Sequence, residues 1–434
     1  MTTEQVAALG PAFAAYLRQF DDCFVHDRTR GHLHTYCRGL LSDLPRKSVE
    51  PIALAAGTAV RSLQEFLRDH VWDQKRMREQ LQQRLAHRPP PETADDLGCV
   101  GLFDETGQAK KGDQTPGVQR QWCGSLGKTE NCIVTVHLGI SWGRFKTLVD
   151  ADLFLPQSWS DDRERCRAAG IPDEVVYRPK WRIALEQLDR AAANGLHLDW
   201  LTFDEYYGSK PAFLADLDGR AGLFYVGEVP RNFRCLTRPP KGSRPKGGWK
   251  GKRVDQLARY SSVLNQQQWQ TMKLVRLTLA EQEWEVRAGQ VYLLRGGQAT
   301  ARTHWLIVAR NTATGEVKYF VSNAPPDTPL AKLLRVAFRR WNVEHAFRVS
   351  KSEIGFGHFE GRNYVALLRH LILCLLVLGF VAEHTDRLRG EKSGDHVGAG
   401  VPGVEPALRG VAGEPPGDIG VGAYGDGHCL SPAA

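Results

Sequence analysis

Cys99-Val-Gly-Leu-Phe103 running into Asp104, and Leu198-Asp-Trp-Leu-Thr-Phe203 running into Asp204, are two apolar stretches that each end on a carboxylate. Both are short, so each predicts a buried strand with an acid at its tip. Between them, Ile133-Val-Thr-Val-His-Leu-Gly-Ile140 and Phe145 to Leu155 read as further strands. Trp181 to Ala193 reads as an amphipathic helix stopped by Asn194-Gly195, and Gly222 to Val229 as another strand. Strands, helix, strand is the pattern of an α/β sheet. Acids at the ends of neighbouring strands come to one sheet edge, where side chains converge. An Asp in that place also caps turns and helices, and Glu105 and Glu205 leave the choice of ligand open at each strand.

A third acid, Glu344, lies in Trp341-Asn-Val-Glu-His-Ala-Phe-Arg-Val-Ser-Lys351, within a long helix that begins near Leu330. Arg340, Glu344 and Lys351 share a helical face. A carboxylate flanked by cations suits metal binding beside a phosphate backbone; a solvated face with an Arg340–Glu344 pair has the same pattern. Asp104, Asp204 and Glu344 together make a hard oxygen set of the kind that binds Mg²⁺ or Mn²⁺. Two such ions about 3.5–4 Å apart serve phosphoryl transfer.

The remaining sequence surrounds this core. Ala7 to about His87 carries helical periodicity, and Arg88-Pro-Pro-Pro-Glu92 is a stiff linker, so residues 1–90 predict a helical domain. Residues 95–390 predict the catalytic domain, with a mostly β insertion over about 231–322. Its strand-like runs are Lys273–Leu279, Trp284–Val286, Val291–Leu294, Trp305–Ala309 and Lys318–Val321, with a hairpin turn at Thr314-Gly315. Lys241, Lys246, Lys250, Lys252 and Arg253, with Trp249 among them, form the densest basic segment and the best candidate for backbone contact. Lys110 and Lys111 follow the first acid and are expected to meet phosphates near the metals.

The 434 residues hold 57 Lys+Arg against 49 Asp+Glu, a net charge of +8. That balance suits an acidic partner such as DNA, and an ordinary basic protein equally. Nine cysteines without a CxxC pair exclude zinc-ribbon spacing and a disulfide framework, which fits a reducing cytoplasm. The N-terminus has no signal pattern. Leu371 to Ala382 is shorter than a bilayer and predicts a buried core helix, so no membrane partner is expected. From Glu391 the chain has 11 glycines, 5 prolines and no periodicity, which predicts a low-complexity, disordered tail over 391–434 or a shift of reading frame near Lys392.

Trp341-x-Val-Glu-x-x-Phe, Lys351-x-Glu353-x-Gly355 and Phe359-Glu-x-Arg362 resemble the C-terminal signature of insertion-sequence DDE transposases, in which an Arg precedes the Glu by four and a Lys follows it by seven. Phe103-Asp104-Glu-Thr-Gly107 with Lys110-Lys-Gly112, and Thr202-Phe-Asp204-x-x-Tyr-Gly208, are similar to the family's first two catalytic strands. The likeness covers about residues 10–390. It implies an RNase H-like mixed sheet flanked by helices, with Asp104, Asp204 and Glu344 as catalytic metal ligands and two Mg²⁺ or Mn²⁺ ions. It further implies cut-and-paste transposition of double-stranded DNA, with a hairpin on the element end as one route and a homodimer at synapsis, in a bacterial cytoplasm. Arg340, Arg348 and Lys351 become DNA contacts, and Trp249 or Trp269 a stacking platform for a flipped base. The resemblance assigns DNA binding to the helical domain of residues 1–90, where Arg28, Arg30 and Arg38 are candidates for reading the terminal repeats. The departure is Ala337, where relatives carry a Tyr; Phe338 or Trp341 is expected to stand in for it. The rival readings are a catalytically impaired transposase that binds DNA as an inhibitor, and a host RNase H-like nuclease.

Overall fold

The computed structural model describes residues 3–243, 245–274 and 282–390, with the side chains of 3–7, 274, 342–345, 352 and 388–390 also outside the description. The expected tail from Glu391 and most of the expected strand Lys273–Leu279 therefore lie outside the described residues.

Helices α1 (Thr3–Arg18), α2 (Asp27–Leu41), α3 (Val49–Ala55), α4 (Val60–Arg68) and α5 (Gln74–Ala86) come first. The sheet begins with β1 (Cys99–Ala109), β2 (Gln119–Cys123), β3 (Lys128–Trp142) and β4 (Phe145–Leu153). There follow α6 (Gln157–Ser160), α7 (Arg163–Ala168), α8 (Lys180–Ala193), β5 (Trp200–Phe203), α9 (Glu205–Gly208), α10 (Pro211–Asp218) and β6 (Phe224–Glu228). The insertion contributes β7 (Arg234–Leu236), β8 (Lys252–Arg253), α11 (Val254–Tyr260), α12 (Ser262–Asn265), β9 (Gln270–Leu274), β10 (Gln282–Arg295), β11 (Gln298–Ala299), β12 (His304–Asn311) and β13 (Val317–Ser322). Helices α13 (Leu330–Arg339), α14 (Trp341–Ser352) and α15 (Tyr364–Gly390) complete the description.

The core strands lie in the order β4-β3-β1-β5-β6. β3 is antiparallel to β1 and β4, whereas β5 and β6 run parallel to β1. Three antiparallel strands followed by two parallel ones, with helices on the sheet, make the core RNase H-like. β3 is buried from Cys132 to Ser141, as a strand covered on both faces must be. The insertion extends this same sheet, because β13 pairs with β6 and is followed by β12 and β10. Trp284–Val286 and Val291–Leu294, two runs in the sequence, belong to one strand, β10. Gly289 lies between them, and a side chain there would strike Val263. The expected turn holds, with Gly315 at φ +73°. β2 falls in sequence that reads as loop; it pairs with the β3 residues that precede β4's share of that strand.

α15 is longer than its apolar run suggests, and its Tyr364–Arg387 stretch is long and apolar enough to cross a membrane. In this fold 89% of that stretch's apolar window is buried, which satisfies the same hydrophobic drive inside the protein. β4 covers one side, and α2, α4 and α5 cover others. The helices are keyed to it by polar contacts. Tyr16 donates to the Leu376 carbonyl at 3.0 Å. The Arg369 guanidinium donates to the carbonyls of Phe66, Leu67 and Trp72. The Tyr36 hydroxyl lies 2.9 Å from His370 Nδ1.

His370 is fully buried, and burial, aided by the charge of Lys110, pushes it down to about 3 from an ordinary 6.5. The folded protein keeps it neutral while the unfolded chain takes up a proton below 6.5. Stability from this group is therefore complete above pH 6.5 and falls on acidification towards 3, by at most about 1.4 kcal/mol per pH unit. Thermal melts between pH 7 and pH 5 are expected to show this fall. His370→Asn should melt lower at pH 7 and fall less steeply; an equally steep fall would exclude His370 as its source.

Candidate active site

β1 pairs with β5 only at Val100, Gly101 and Leu102, but stays with β3 as far as Ala109. The two neighbours of β1 thus part company at Phe103. Asp104 stands just past the last β5 pair, and Asp204 just past the end of β5. A crevice opens at the carboxyl ends of parallel strands, where the strand order leads off both ways from β1. Asp104 is therefore mid-strand and not at a strand end, because the hairpin with β3 carries β1 onward. It stands opposite His137, and cross-strand partners share a face. The His137 ring meets Phe347 edge-on at 4.9 Å, so α14 lies across the face that carries Asp104.

Asp204 caps α9, its Oδ1 accepting from the amides of Tyr206 at 3.0 Å and Tyr207 at 3.4 Å. Capping and a site role are thus compatible in one residue. Gly208 closes the same turn, and a Cβ there would sit 1.9 Å from the Glu228 carbonyl oxygen. Only glycine lets α9 pack this closely on β6, which accounts for the glycine four residues after the acid.

Asp104 Oδ1 accepts from the Glu105 amide at 2.7 Å, and Oδ2 from Arg340 Nη1 at 3.2 Å. Burial pushes the Asp104 carboxyl up to about 7, with Arg340 pulling it down and the charge of Asp204 pushing it up. Asp204 is also raised, by burial and then by Glu228, against the same Arg340. One guanidinium thus serves two dry, mutually repelling carboxylates, an arrangement that a cation would relieve. Glu105 joins them. It is raised by burial and held down by Lys180, its ion-pair partner, and its Oε2 is buried with no hydrogen-bond partner. The carboxylates of Asp104 and Asp204 are hard oxygen donors of the kind a divalent cation takes; among the described residues no three acids, histidines or cysteines are placed together to hold a metal ion. Asp204 adds negative charge beside Asp104, so these two are the site carboxylates that the described residues bring together. Residue 344 stands one turn after Arg340 and one turn before Phe347 in α14; the Glu344 side chain lies outside the described residues.

The expected DNA contacts divide into separate places. Lys351 is near the carboxylates: burial lowers its pKa and Asp104 acts to raise it. Arg348 is exposed on the same helix. Lys110 is farther from the acids than expected, because β1 continues: six residues at strand rise put it ~20 Å beyond Asp104. Its ammonium donates to the Phe359 carbonyl at 2.6 Å, while Lys111 is exposed. Lys241, Lys246, Lys250 and Lys252 are exposed near the β7–β8 edge. Its outermost strand, β8, lies six strand spacings from β5, or ~29 Å along the sheet. There Trp249 is half-buried, its amide donating to the Gly297 carbonyl at 2.9 Å, and Arg253 pairs with Asp255 at 2.6 Å. Trp269 carries the guanidinium groups of Arg287 and Arg310 over its ring, at 4.3 and 4.9 Å. Ala337 is buried, its carbonyl accepting from Thr202 of β5 at 3.3 Å. Phe338 and Trp341 pack on each other, with ring centroids 4.1 Å apart, and on Trp284.

Two neighbours of the site escaped the sequence reading. Glu228 ends β6, is nearly buried, and pairs with Lys318 at 2.7 Å. Its signal was present, since Phe224–Glu228 is a third apolar run ending on an acid. Lys180, paired with Glu105 across 75 residues, left no such signal.

The sequence profile of the DDE superfamily endonuclease family matches residues 19–290, a span that holds both aspartates and ends before α14. A probable transposase for insertion sequence element IS701, from Microchaete diplosiphon, is 27% identical over 356 residues, covering 79% of this chain and 80% of that protein. Among solved structures, a piggyBac transposase synaptic complex with hairpin DNA overlays with a TM-score of 0.43 at 10% identity, covering 89% of this chain and 70% of that one. By the family match, with both aspartates set at the crevice of an RNase H-like sheet, the chain belongs to the DDE superfamily endonucleases.

Proposed function

We propose that this chain is the transposase of a bacterial insertion sequence, cutting and joining the DNA at the element's ends. The observation that carries the reading is the pair of buried, mutually repelling carboxylates Asp104 and Asp204, one just past the last β1–β5 pair and the other at the end of β5, under the helix that contains Glu344. The IS701 relative supports transposition over a host nuclease role, since it matches four fifths of both chains.

Enzymes of this superfamily use divalent metal ions, and here Asp104, Asp204 and Glu344 would hold two, Mg²⁺ or Mn²⁺. Bound there, they would supply a water of lowered pKa and charge neutralisation at the phosphoryl oxygens. In the first reaction a water oxygen bonds to phosphorus and the bond to the 3′ oxygen breaks, leaving a 3′-hydroxyl and a 5′-phosphate. In the second that hydroxyl attacks another phosphodiester, in the opposite strand to close a hairpin or in target DNA, and a 3′ oxygen leaves. Once cations neutralise Asp104, Arg340 would donate to a non-bridging oxygen. Lys351 and the exposed Arg348 would hold the backbone on either side. Lys241 to Arg253, at the far sheet edge, would hold flanking duplex, and the N-terminal helices the terminal repeats. Two ends brought together call for two copies of the chain. Work on chromosomal DNA calls for a cytoplasmic location, with which the eight free, buried cysteines among the described residues are compatible.

With Mg²⁺ or Mn²⁺, the purified protein is expected to cut duplex DNA carrying the element's ends. Asp104→Ala, Asp204→Ala and Glu344→Ala should each lower the rate by about 10³-fold or more, read from strand cleavage on denaturing gels. Robust cutting by Asp204→Ala would remove that residue from the site.

A second expectation concerns pH. Without metal, the folded protein holds a proton on Asp104 between its ordinary 3.8 and about 7, so this group's contribution to stability falls as pH rises through that window. A cation takes the proton's place. Mg²⁺ or Mn²⁺ should therefore raise Tm more at pH 8 than at pH 5.5, and Asp104→Asn should remove the difference. Equal shifts at both pH values would speak against binding at Asp104.

A further inference from the structure

Far from the carboxylates, the segment after α2 meets the end of α14 and the loop that follows it. Lys47 is buried, and its ammonium donates to the Leu40 carbonyl at 2.8 Å and to the Glu353 carbonyl. Its backbone amide donates to His358 Nδ1 at 2.9 Å. That bond fixes Nδ1 as the acceptor, so neutral His358 carries its proton on Nε2. Gly355, at φ +76°, lets the chain turn against Lys47, whose Cβ would lie 2.6 Å from any added Cβ. Lys110 closes the junction from the end of β1, through its bond to Phe359. Arg46 stands at the mouth, its side chain 64% exposed and paired with Glu360.

These groups crowd positive charge. Lys110 is largely enclosed, and among the described residues no carboxylate lies within ion-pairing distance of it; a carbonyl dipole is its hydrogen-bond partner. Burial, then the like charge of Arg46, lowers it to about 8. Arg46, Lys47 and Lys110 together act on His358, which is lowered mainly by burial. A half-buried cation without an anion is costly, and like charges beside it add to the cost. A phosphate diester removes both, carrying one negative charge and accepting hydrogen bonds from several donors.

We infer that Arg46, Lys110 and His358 form a second phosphate site, which takes a backbone phosphate of the DNA at a distance from the cut. The inference rests on the transposase reading. β1 gives its distance from the carboxylates: Lys110 lies ~20 Å beyond Asp104 by residue rise. That span corresponds to about six base pairs of duplex. Glu360 holds Arg46 in the DNA-free protein, and a phosphate displaces it. A backbone contact of this kind adds affinity without reading sequence.

The test is equilibrium binding of full-length protein to an element-end duplex and a random duplex, over a series of salt concentrations. Arg46→Gln should weaken binding several-fold on both duplexes and reduce the slope of log affinity against log salt by about 1. Glu360→Gln should tighten binding to both, since it removes the competing carboxylate. A purely structural Arg46–Glu360 pair would make both variants weaken binding alike, with the salt slope unchanged, and that result overturns the site. Wild-type affinity and slope in Arg46→Gln overturn it also. If the wild-type protein binds neither duplex, the transposase reading falls with it.

Discussion

A single strand with two neighbours of unequal reach governs this structure. β1 is held by β5 over three residues and by β3 over eleven. The short pairing ends because β5 gives way to α9 directly after Phe203, with Asp204 as the cap. The long one persists because β3 is apolar through its middle and covered by helices. The difference in length leaves a notch in which Asp104 faces out beside Asp204. α14 crosses that face, so the notch is dry, and dryness raises both carboxyl groups. The same enclosure that makes two neighbouring charges unfavourable is what a cation beside them would relieve.

α15 plays the corresponding part for the helical half. Leu371, Leu373, Leu375 and Leu376 are buried on successive faces, each contributing ~1.5–3 kcal/mol relative to exposure. Helices α2, α4 and α5 reach across some 300 residues of sequence to cover them. The core is continuous from these helices through β4 to the notch. Arg369 shows how polar groups are kept satisfied inside it. It answers three carbonyls at the end of α4 and in the turn after it, and its guanidinium lies 4.5 Å from the centroid of the Trp72 ring.

The apolar strands and the two aspartates were legible because burial on both faces leaves an unbroken hydrophobic run. What followed each run was less so. That β1 continues past Asp104 depends on β3, thirty residues away, and moves Lys110 out of the notch. β2 is half exposed, so its residues carry no apolar signature. α13 and α14 read as one helix because Arg340 keeps helical angles (φ −53°, ψ −34°). The division shows only in its amide, which reaches back to Ala337 at 3.5 Å. Among the glycines of the motif stretches, Gly208 is explained by its close approach to Glu228, and Gly355 by its approach to Lys47 together with its φ of +76°. Ion pairs such as Lys180–Glu105 join elements far apart in the chain, and sequence spacing says nothing about them.

The insertion does not hang from the core on a tether. Its strands are laid down on β6, edge to edge, so one hydrogen-bonded lattice runs from the acidic notch to the rim that carries Lys250. A lattice of that kind bends as a whole and resists shear between its members. The rim and the notch are therefore held at a fixed calibre, and duplex touching both must adopt the curvature that this calibre dictates.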